Sequence, residues 1–362
     1  MRILKIRSYQ FRNLTSVDLD LAGDAHFFIG ANGQGKTNLL EAVGLLTALR
    51  SFRTQDMAAL VGWKTQGGAH LQFTIEHPRM GETDVSIAIE GRSRTVKVDG
   101  NPVDKLADFI GSFPTVALSS QDIQMLRGSP QLRRRFLDLA VASVDPVYYQ
   151  TLRTYHKALR ERNALLKQRA VPALFRPFEQ LLVQAAEALV QLRKSSLTYL
   201  DRHFQDVYRV ISPEEEAPEL VYRPSGQWST AAEFQQLLNE NRDKDRARET
   251  TSVGPHRDDF AFRLLDHRAR EYASEGQQRG LVLALRLAQM HWIREKTGLS
   301  PVILADDILG ELDPQRQRGF WRSVGDGHQL FATGTRPPTG PEGCAWQTWQ
   351  VEKGSIQRGD SV

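Results

Sequence analysis

The sequence predicts an α/β fold in which one sheet, built from both ends of the chain, is interrupted by an inserted α-helical lobe. Three observations support this prediction. An apolar strand near the N-terminus runs into the glycine-rich residues 30–37 and then into an apolar-periodic helix. A second apolar strand, at residues 302–305, ends in two carboxylates. Between them, residues 121–209 are rich in Leu, Arg, Lys, Gln and Ala and poor in Gly, as helices are.

The N-terminal elements are predicted from alternation of apolar and polar residues. Short runs at residues 3–6 and 17–21 predict two strands joined by a polar turn around Asn13. Residues 26–29 predict a buried strand that leads into the glycine-rich segment. Three alternating runs between residues 71 and 103 are separated by turn sequences, and we expect them to form an antiparallel β-subdomain.

The later elements follow from the same patterns. Further predictions are strands at residues 115–118, 260–264, 302–305 and 330–332, a loop at residues 213–218 and a helix at residues 279–296. We therefore expect residues 1–120 and 251–362 to form one domain, called lobe I. Residues 121–250 should form the inserted helical domain, called lobe II.

Composition narrows the class of protein. The chain has 362 residues, 40% hydrophobic and 25% charged, as in soluble globular proteins. No apolar run approaches the roughly 18 residues of a membrane helix, and the N-terminus lacks the continuous apolar stretch of a secretory signal. The lone Cys344 leaves no internal disulfide and no cysteine-rich metal site. These features predict a cytoplasmic protein without a membrane partner.

The formal net charge of +4 hides an uneven distribution. Residues 127–210 carry 15 basic and 7 acidic side chains, a net of +8. Residues 211–250 carry 5 basic and 9 acidic side chains, a net of −4. The basic excess on the helical segment is a candidate surface for contact with a polyanion.

Residues 30–37 match the P-loop pattern G-x-x-x-x-G-K-[ST]. In this pattern glycines let backbone N–H groups surround phosphate oxygens, the lysine neutralises phosphate charge and the hydroxyl binds Mg²⁺. An ordinary glycine turn is the alternative, but the strand before the segment and the helix after it favour a P-loop. The predicted nucleotide-binding residues are Gly30, Ala31, Asn32, Gly33, Gln34, Gly35, Lys36, Thr37 and Asn38.

Two further segments carry candidate chemistry. Asp306 and Asp307 end the strand at residues 302–305, where Asp306 could hold Mg²⁺ and Asp307 could orient or deprotonate the attacking water. Capped strand ends of this kind also occur without function. The sequence Ser-Glu-Gly-Gln-Gln at residues 274–278 precedes a helix. Its Ser can be a simple helix cap or part of an anion site at the helix N-terminus.

The order of these motifs resembles the ABC-type ATPase heads: a P-loop, a helical insertion, a Ser-x-Gly-Gln signature before a helix, and an acid pair followed by Glu311-Leu312-Asp313. Within that group the chain resembles the RecF family of DNA replication and repair proteins. The matching strings are Phe11-Arg12-Asn13, residues 134–138, residues 162–167 and, most specifically, Gly-Pro-His-Arg-Asp-Asp at residues 254–259.

The resemblance implies an ATP- and Mg²⁺-dependent homodimer on DNA with weak, DNA-stimulated ATPase activity. It also implies action with RecO and RecR to load RecA at single-stranded gaps or duplex junctions, in repair, replication restart and the SOS response. Carried over by position, Ser274, Gly276 and Gln277 would reach the nucleotide of the other protomer, and Asp313 would lie in the loop that crosses the dimer interface. Gln121 corresponds to the Q-loop and would sense Mg²⁺ or water. The implied catalytic set is Lys36, Gln121 and Asp307, the implied Mg²⁺ ligands are Thr37, Gln121 and Asp306, and Arg12, Asn13 and Arg53 are further nucleotide contacts.

The chain departs from the transporter heads at two positions. Glu275 occupies a glycine position close to the expected γ-phosphate, so its side chain must point away or be paired. The strand at residues 330–332 leads into Thr333, Gly334 and Thr335, so the γ-phosphate histidine of many ABC heads is absent. Slow turnover would agree with that loss, and one of the threonines could substitute.

The basic residues of the insertion have two interpretations, DNA contact or a solvated helix face. Three consecutive arginines, residues 133–135, fan over about 200° on a helix, so one or two of them should be structural. Arg134 is placed to pair with Asp138. The candidate DNA contacts are Arg133, Arg135, Lys157, Arg160 and Lys167, all to the phosphate backbone.

Some alternatives stay open at this point. His256 could be an interface residue or a satisfied turn histidine. The whole chain could be a transporter-type motor subunit, against which stand the Ser-Glu-Gly-Gln-Gln sequence and the missing histidine. It could also be a structural chromosome protein of the SMC or Rad50 kind, but about 150 proline-broken residues between Gln121 and Ser274 leave no room for a coiled-coil arm.

Overall fold

The computed structural model describes residues 1–62, 67–212, 216–338 and 345–359. The predicted unpaired Cys344 and part of the predicted loop at residues 213–218 lie outside these ranges. The chain divides into two compact units, each described here by itself. The first comprises Met1–Asp122, Asp206–Glu214 and Leu283–Val362, and the second comprises Ile123–Gln205 and Glu215–Val282.

Both units contain strands and helices. The described strands are β1 (Arg2–Phe11), β2 (Leu14–Asp20), β3 (Ala25–Ile29), β4 (Ala69–His77), β5 (Gly81–Glu90), β6 (Ser93–Val98), β7 (Asn101–Pro102), β8 (Thr115–Ser119), β9 (Pro218–Arg223), β10 (Asp259–Leu264), β11 (His267–Arg268), β12 (Val302–Asp306), β13 (Leu330–Gly334), β14 (Gln347–Glu352) and β15 (Ser355–Arg358). The described α-helices are α1 (Lys36–Ala48), α2 (Leu106–Phe109), α3 (Gln124–Arg127), α4 (Pro130–Ala142), α5 (Pro146–Lys167), α6 (Arg176–Ile211), α7 (Ala231–Glu240), α8 (Arg242–Arg248), α9 (Ala269–Tyr272), α10 (Glu275–Thr297) and α11 (Pro314–Val324).

The first unit contains the predicted antiparallel subdomain. Its sheet has the order β2-β1-β4-β5-β6-β7, and neighbouring strands pair antiparallel. Side chains alternate between the two faces of a strand, so every second residue lies on the covered face of this sheet. Ile6, Phe73 and Val85, which lie opposite one another on β1, β4 and β5, are fully buried. The predicted meander is confirmed.

The second sheet of this unit joins both ends of the chain, as predicted. Its order is β15-β14-β3-β13-β12-β8. Strands β14, β3, β13, β12 and β8 run parallel to one another, whereas β15 pairs antiparallel with β14. Helix α1 contributes the fully buried Leu39, Leu40 and Val43 to a core shared with Leu304 of β12. Strands β14 and β15 are absent from the sequence predictions, because QTWQVE and SIQR contain few apolar residues and no continuous apolar run.

The second unit is mainly helical. Asp145 caps α5 by accepting hydrogen bonds from the backbone N–H groups of Val147 and Tyr148, so a new helix starts soon after α4 ends at Ala142. A small antiparallel sheet, β11-β10-β9, packs its aromatic residues against the helices: Phe260 contacts Phe136. The predicted helical character is confirmed, whereas β9, α7 and α8 are additions.

The unit boundaries differ from the predicted lobes. Residues 251–282, expected in lobe I, lie in the second unit because β10 pairs along its length with β9, from Asp259 opposite Arg223 to Leu264 opposite Pro218. Residues 206–214, expected in lobe II, lie in the first unit because the end of α6 packs there: a Cβ on Gly319 would lie 2.8 Å from the Cα of Ile211. Long-range contacts of this kind leave no local signal in the sequence.

No helix among the described residues is long and apolar enough to cross a membrane.

Candidate nucleotide-binding site

The P-loop lies between β3 and α1, as the sequence predicts. Gly33 and Gly35 have φ values of 79° and 120°, which favour glycine because a Cβ is strained there. A Cβ on Gly30 would lie 2.4 Å from the carbonyl oxygen of Val351, so only glycine fits against β14. Helix α1 begins at Lys36 with no acidic residue in its first turn, which leaves its positive end suited to an anion.

Lys36 is folded onto its own loop. Its Nζ donates to the carbonyl oxygens of Gly30 at 2.7 Å and Ala31 at 3.2 Å, and the residue is only 4% exposed. An ammonium group has three N–H donors, so two hold the positive charge at the loop and one remains for a phosphate oxygen. This is the geometry expected of a lysine that neutralises phosphate charge.

Asn13 and the β14–β15 turn brace the loop from outside. Asn13 Nδ2 donates to the carbonyl of Gly33 at 3.4 Å, and its Oδ1 accepts from Asn38 Nδ2 at 2.7 Å. On the other side, the backbone N–H of Lys353 donates to Gln34 Oε1 at 2.7 Å, and that of Gly354 donates to the carbonyl of Gln34 at 2.9 Å. The second brace was missed in the sequence, where nothing links residues 34 and 353.

The buried carboxylate of Glu41 organises the two arginines predicted near the nucleotide. Arg12 donates to it through Nε at 2.9 Å and Nη2 at 2.8 Å, and Arg53 Nη1 donates to it at 3.2 Å. Ser51 also donates to this carboxylate, which is fully buried. Arg12 is therefore held by an ion pair beside the loop, and Arg53 joins the same network and bonds Asn38 Oδ1 at 2.8 Å. The sequence analysis missed Glu41 because an apolar-periodic helix gives a single carboxylate no special signal.

The acid pair lies beside the P-loop. Thr37 Oγ1 donates to Asp306 Oδ1 at 2.8 Å, and Thr333 Oγ1 donates to the same oxygen at 3.0 Å. Burial raises the pKa of Asp306, although the hydrogen bonds from Thr37 and Thr333 act in the opposite direction. A buried carboxylate next to a hydroxyl is the hard oxygen pair that Mg²⁺ prefers.

These two oxygens fit Mg²⁺ in the way that nucleotide enzymes use it. Within the described ranges no group of three or more His, Cys, Asp or Glu side chains could hold a metal ion alone. Mg²⁺ at such sites keeps several waters and takes only one or two protein ligands together with substrate phosphates. Thr37 and Asp306 are sufficient protein ligands for that arrangement.

Asp307 has an unusual backbone conformation. Its φ of 54° is left-handed, which costs a non-glycine residue free energy and is often found at functional sites. Its backbone N–H donates to Thr333 Oγ1 at 2.8 Å. Thr333 thus bonds both acids, at the end of β13 where many ABC heads place their histidine region.

Gln121 and Asp313 both belong to the first unit. Gln121 is exposed in a short 3₁₀ helix, Ser120–Ile123, that follows β8. The last residue of β8, Ser119, lies opposite Asp306 in the sheet. Asp313 caps α11 by accepting from the backbone N–H groups of Gln315 at 3.0 Å and Arg316 at 2.9 Å. Partial burial would raise the pKa of Asp313, but the N–H and guanidinium of Arg316 outweigh it, so that the pKa is lowered. Asp313 therefore shapes the loop between β12 and α11.

Comparison with known proteins defines the family. Residues 2–337 match the model described as RecF/RecN/SMC N terminal domain. The DNA replication and repair protein RecF of Citrifermentans bemidjiense is 37% identical over 326 residues, 88% of this chain and 89% of that protein. RecF of Halalkalibacterium halodurans is 32% identical over 375 residues, 99% of this chain and 100% of that protein.

The chain belongs to the RecF family. It is similar also to a solved structure described as "Structure of the recombination mediator protein RecF-ATP in RecFOR pathway", with a TM-score of 0.90, 28% identity and coverage of 99% of this chain and 97% of that one. The fold is that of an ABC-type ATPase head. Membership places the chain among the DNA replication and repair proteins of this family.

Ser274 and Gln277, two of the three predicted signature residues, form a capping box in the second unit of this RecF-family chain. Ser274 Oγ accepts from the backbone N–H of Gln277 at 3.3 Å, and Gln277 Oε1 accepts from the N–H of Ser274 at 2.7 Å. This box starts α10 at Glu275, four residues before the predicted start at Arg279. Glu275 is paired with Arg279 at 3.1 Å, as its position required, and Ser274 is exposed.

The prediction that Arg133 contacts DNA is wrong. Arg133 is 7% exposed, and its Nε and Nη2 donate to Asp259 at 2.8 and 2.9 Å. Its Nη1 donates to the carbonyls of Met125 and Gly128. The guanidinium of Arg133 therefore links α3, α4 and β10 through hydrogen bonds. A buried paired arginine cannot reach a phosphate at the surface.

The other basic candidates differ in how exposed their side chains are. Lys157, Arg160 and Lys167 on α5 are exposed, and Arg135 is half-buried. Asp138, the expected partner of Arg134, accepts instead from Arg193 Nη2 at 2.7 Å, because α6 lies against α4 there. The exposed α5 residues therefore stay the predicted backbone contacts.

His256 is a satisfied turn histidine, one of its two predicted alternatives. Tyr155 donates its hydroxyl to His256 Nδ1 at 2.6 Å, and Nε2 donates to the carbonyl of Thr251 at 2.9 Å. Burial lowers the pKa of His256 to about 4, so the ring is neutral at physiological pH.

Proposed function

We propose that this RecF-family protein is an ATP-dependent DNA-binding recombination mediator. ATP binding drives homodimerisation on DNA, and slow hydrolysis releases the DNA. The observation that carries the proposal is the contact between Thr37 of the P-loop and Asp306 of the acid pair at 2.8 Å. It joins the two motifs that a phosphate-transferring site needs, and these motifs are 269 residues apart in the chain.

The residues of lobe I have distinct roles in this proposal. Backbone N–H groups of residues 30–38 and the Lys36 ammonium bind the phosphates of ATP, with Asn13 and Arg12 supporting the loop. Thr37, Asp306 and Gln121 hold Mg²⁺, which when bound neutralises phosphate charge. Asp307 accepts a hydrogen bond, and then a proton, from the attacking water.

Two copies complete the site. Ser274, Gly276 and Gln277 of one protomer, where lobe II joins lobe I, contact the nucleotide of the other, and Asp313 lies in the loop at the interface. Because ATP then binds the dimer better than the monomer, ATP binding favours dimerisation. The dimer combines two weak basic surfaces, such as that of α5, into one stronger DNA-binding surface.

Partners follow from the family. A solved relative is described as a recombination mediator in the RecFOR pathway. We therefore propose RecO and RecR as partners and RecA as the protein loaded at single-stranded gaps or duplex junctions, in the cytoplasm. The ATPase is weak and is stimulated by DNA.

Light scattering with and without nucleotide tests this function. In the presence of ATP and gapped duplex DNA we expect a dimer, and with ADP or without nucleotide we expect a smaller particle. Single-stranded and fully duplex DNA are the comparison ligands. A particle size that is independent of nucleotide, with no binding to any of the DNAs, would contradict the proposal.

Thr333→Val should slow hydrolysis more than it weakens ATP binding. The change removes the acceptor of the part-buried Asp307 N–H, a loss of about 1–3 kcal/mol, which converts to roughly five- to 150-fold if it falls on the transition state. Steady-state kinetics should show a lower kcat with little change in KM. Thr333→Ser keeps the hydroxyl and should restore most of the rate. Equal losses in both variants would indicate that Thr333 acts only through packing.

A further inference from the structure

Residues 254–259, Gly-Pro-His-Arg-Asp-Asp, form a rigid segment, called here the 254–259 segment, whose purpose the nucleotide site leaves unexplained. A Cβ on Gly254, whose φ is 119°, would lie 2.8 Å from Phe234 Cζ. The carbonyl of Pro255 accepts from Arg193 Nη1 at 2.6 Å. His256 is held between Tyr155 and Thr251. The first half of the segment is thus fixed in the interior of the second unit.

The acidic end of the segment is equally engaged. Asp258 is 1% exposed and accepts from the hydroxyl of Tyr222 at 2.5 Å and the backbone N–H of Ser225 at 2.7 Å. Asp259 accepts from Nε and Nη2 of Arg133. Asp258 is thus satisfied by two neutral donors and Asp259 by the Arg133 guanidinium, although Asp258 is next to Arg257 in the chain.

Arg257 is the exception in this segment. Its backbone N–H closes the turn by donating to the carbonyl of Gly254 at 2.8 Å, and the residue is exposed. Within the part of the chain that the structure describes, its guanidinium forms no hydrogen bond or ion pair. The buried contacts of the neighbouring residues fix the backbone of Arg257 at the surface. Less conformational entropy is therefore lost when its side chain binds a ligand.

Arg134 of α4 lies beside it. Arg134 Nη1 donates to the carbonyl of Asp258, the residue after Arg257, at 2.7 Å. Burial lowers the pKa of Arg134, and the charges of Arg193 and Arg257 add to this effect while Asp259 and Asp138 oppose it. The guanidinium of Arg134 is thus held at the backbone of the residue that follows Arg257 in the chain, where both positive charges would attract an anion.

We propose that Arg257 and Arg134 form a phosphate-binding pair that contacts the DNA backbone. The assignment rests on the proposed DNA-binding function and adds a site to it. Guanidinium groups bind phosphate oxygens through two parallel N–H donors, which a lysine cannot do, and Arg134 uses only one donor on Asp258. Because the contact is to phosphate, it provides affinity and orientation without sequence preference.

Binding measurements with the full chain test the pair. Arg257→Ala should weaken binding to a gapped duplex, followed by fluorescence anisotropy with a slowly hydrolysed ATP analogue, by about tenfold. The slope of log K against log[salt] should fall by about one, because one phosphate contact is lost. Arg257→Lys keeps the charge and should recover only part of the affinity. Arg202→Ala, which removes an exposed arginine from α6 of the same unit, is the matched control and should change little.

The same variants are titrated with ATP in the absence of DNA, because a nucleotide could supply the same phosphate chemistry. Unchanged ATP affinity with weakened DNA binding supports the assignment. A loss confined to ATP binding, or DNA affinity and salt slope equal to those of the parent, overturns it. A parent protein that binds none of the DNAs would instead overturn the proposed function, and this site with it. Thermal melts verify that the exposed substitutions leave the fold intact.

Discussion

Asp307→Asn is expected to abolish most ATP turnover while ATP binding and dimerisation persist. The amide cannot accept the proton of the attacking water, and general-base catalysis contributes roughly 10²–10⁴-fold. The substitution suits the site because asparagine tolerates left-handed backbone at least as well as aspartate, and Asp307 has a φ of 54°. Its backbone N–H keeps its bond to Thr333.

Single-turnover hydrolysis, nucleotide affinity and particle size measure the three expectations separately. Asp326→Asn is a matched control, since it removes an exposed carboxylate of the same unit. If Asp307→Asn hydrolysed ATP at the parent rate, Asp307 would not be the base. If it failed to bind ATP, the strained turn would serve binding and not the chemical step.

Lys36→Arg is expected to weaken ATP binding by at least about tenfold and to prevent the ATP-dependent dimer. The ammonium fits between the carbonyls of Gly30 and Ala31 in a position only 4% exposed. A planar guanidinium is larger and cannot take the same place as a compact point charge. DNA binding should fall with the dimer, because each protomer alone presents a weak surface.

The controls separate the charge from the shape of this side chain. Lys36→Met removes the charge at similar size and should behave like Lys36→Arg. Lys353→Arg changes a lysine that is 85% exposed in the turn that braces Gln34 through its backbone, and it should bind ATP normally. A Lys36→Arg variant that dimerised with ATP and bound DNA like the parent would contradict the proposed switch.

Local sequence was sufficient for the elements that carry the nucleotide site. A P-loop depends on glycines and a lysine within eight consecutive residues, so its position between a strand and a helix is visible without tertiary information. The acid pair is equally local, since Asp306 and Asp307 follow the apolar residues of their own strand. The antiparallel meander was predicted because its turns and alternating runs are contiguous in the chain.

Which polar residues serve the site and which serve the core could not be read locally. Residues 133–135 are all arginines, yet their contacts differ. Arg133 is buried and paired with Asp259, 126 positions away, and Arg134 donates to the carbonyl of Asp258, 124 positions away. Glu41 interrupts an apolar pattern and becomes significant only because Arg12 and Arg53 meet it. The predicted lobe boundary at residue 250 differed from the unit boundary because β9 and β10, which lie on opposite sides of that residue in the chain, pair in one sheet.

The sequence by itself determined the class of protein, the phosphate-binding loop and the acids opposite it, because each depends on residues that are neighbours in the chain. Tertiary structure alone decided that Thr333 joins the two acids, that Lys353 and Gly354 brace the loop, and that Arg257 and not Arg133 is presented at the surface. Hydrogen bonds and burial are properties of distance in space. A chain pattern reports such distances only where residues close in space are also close in sequence.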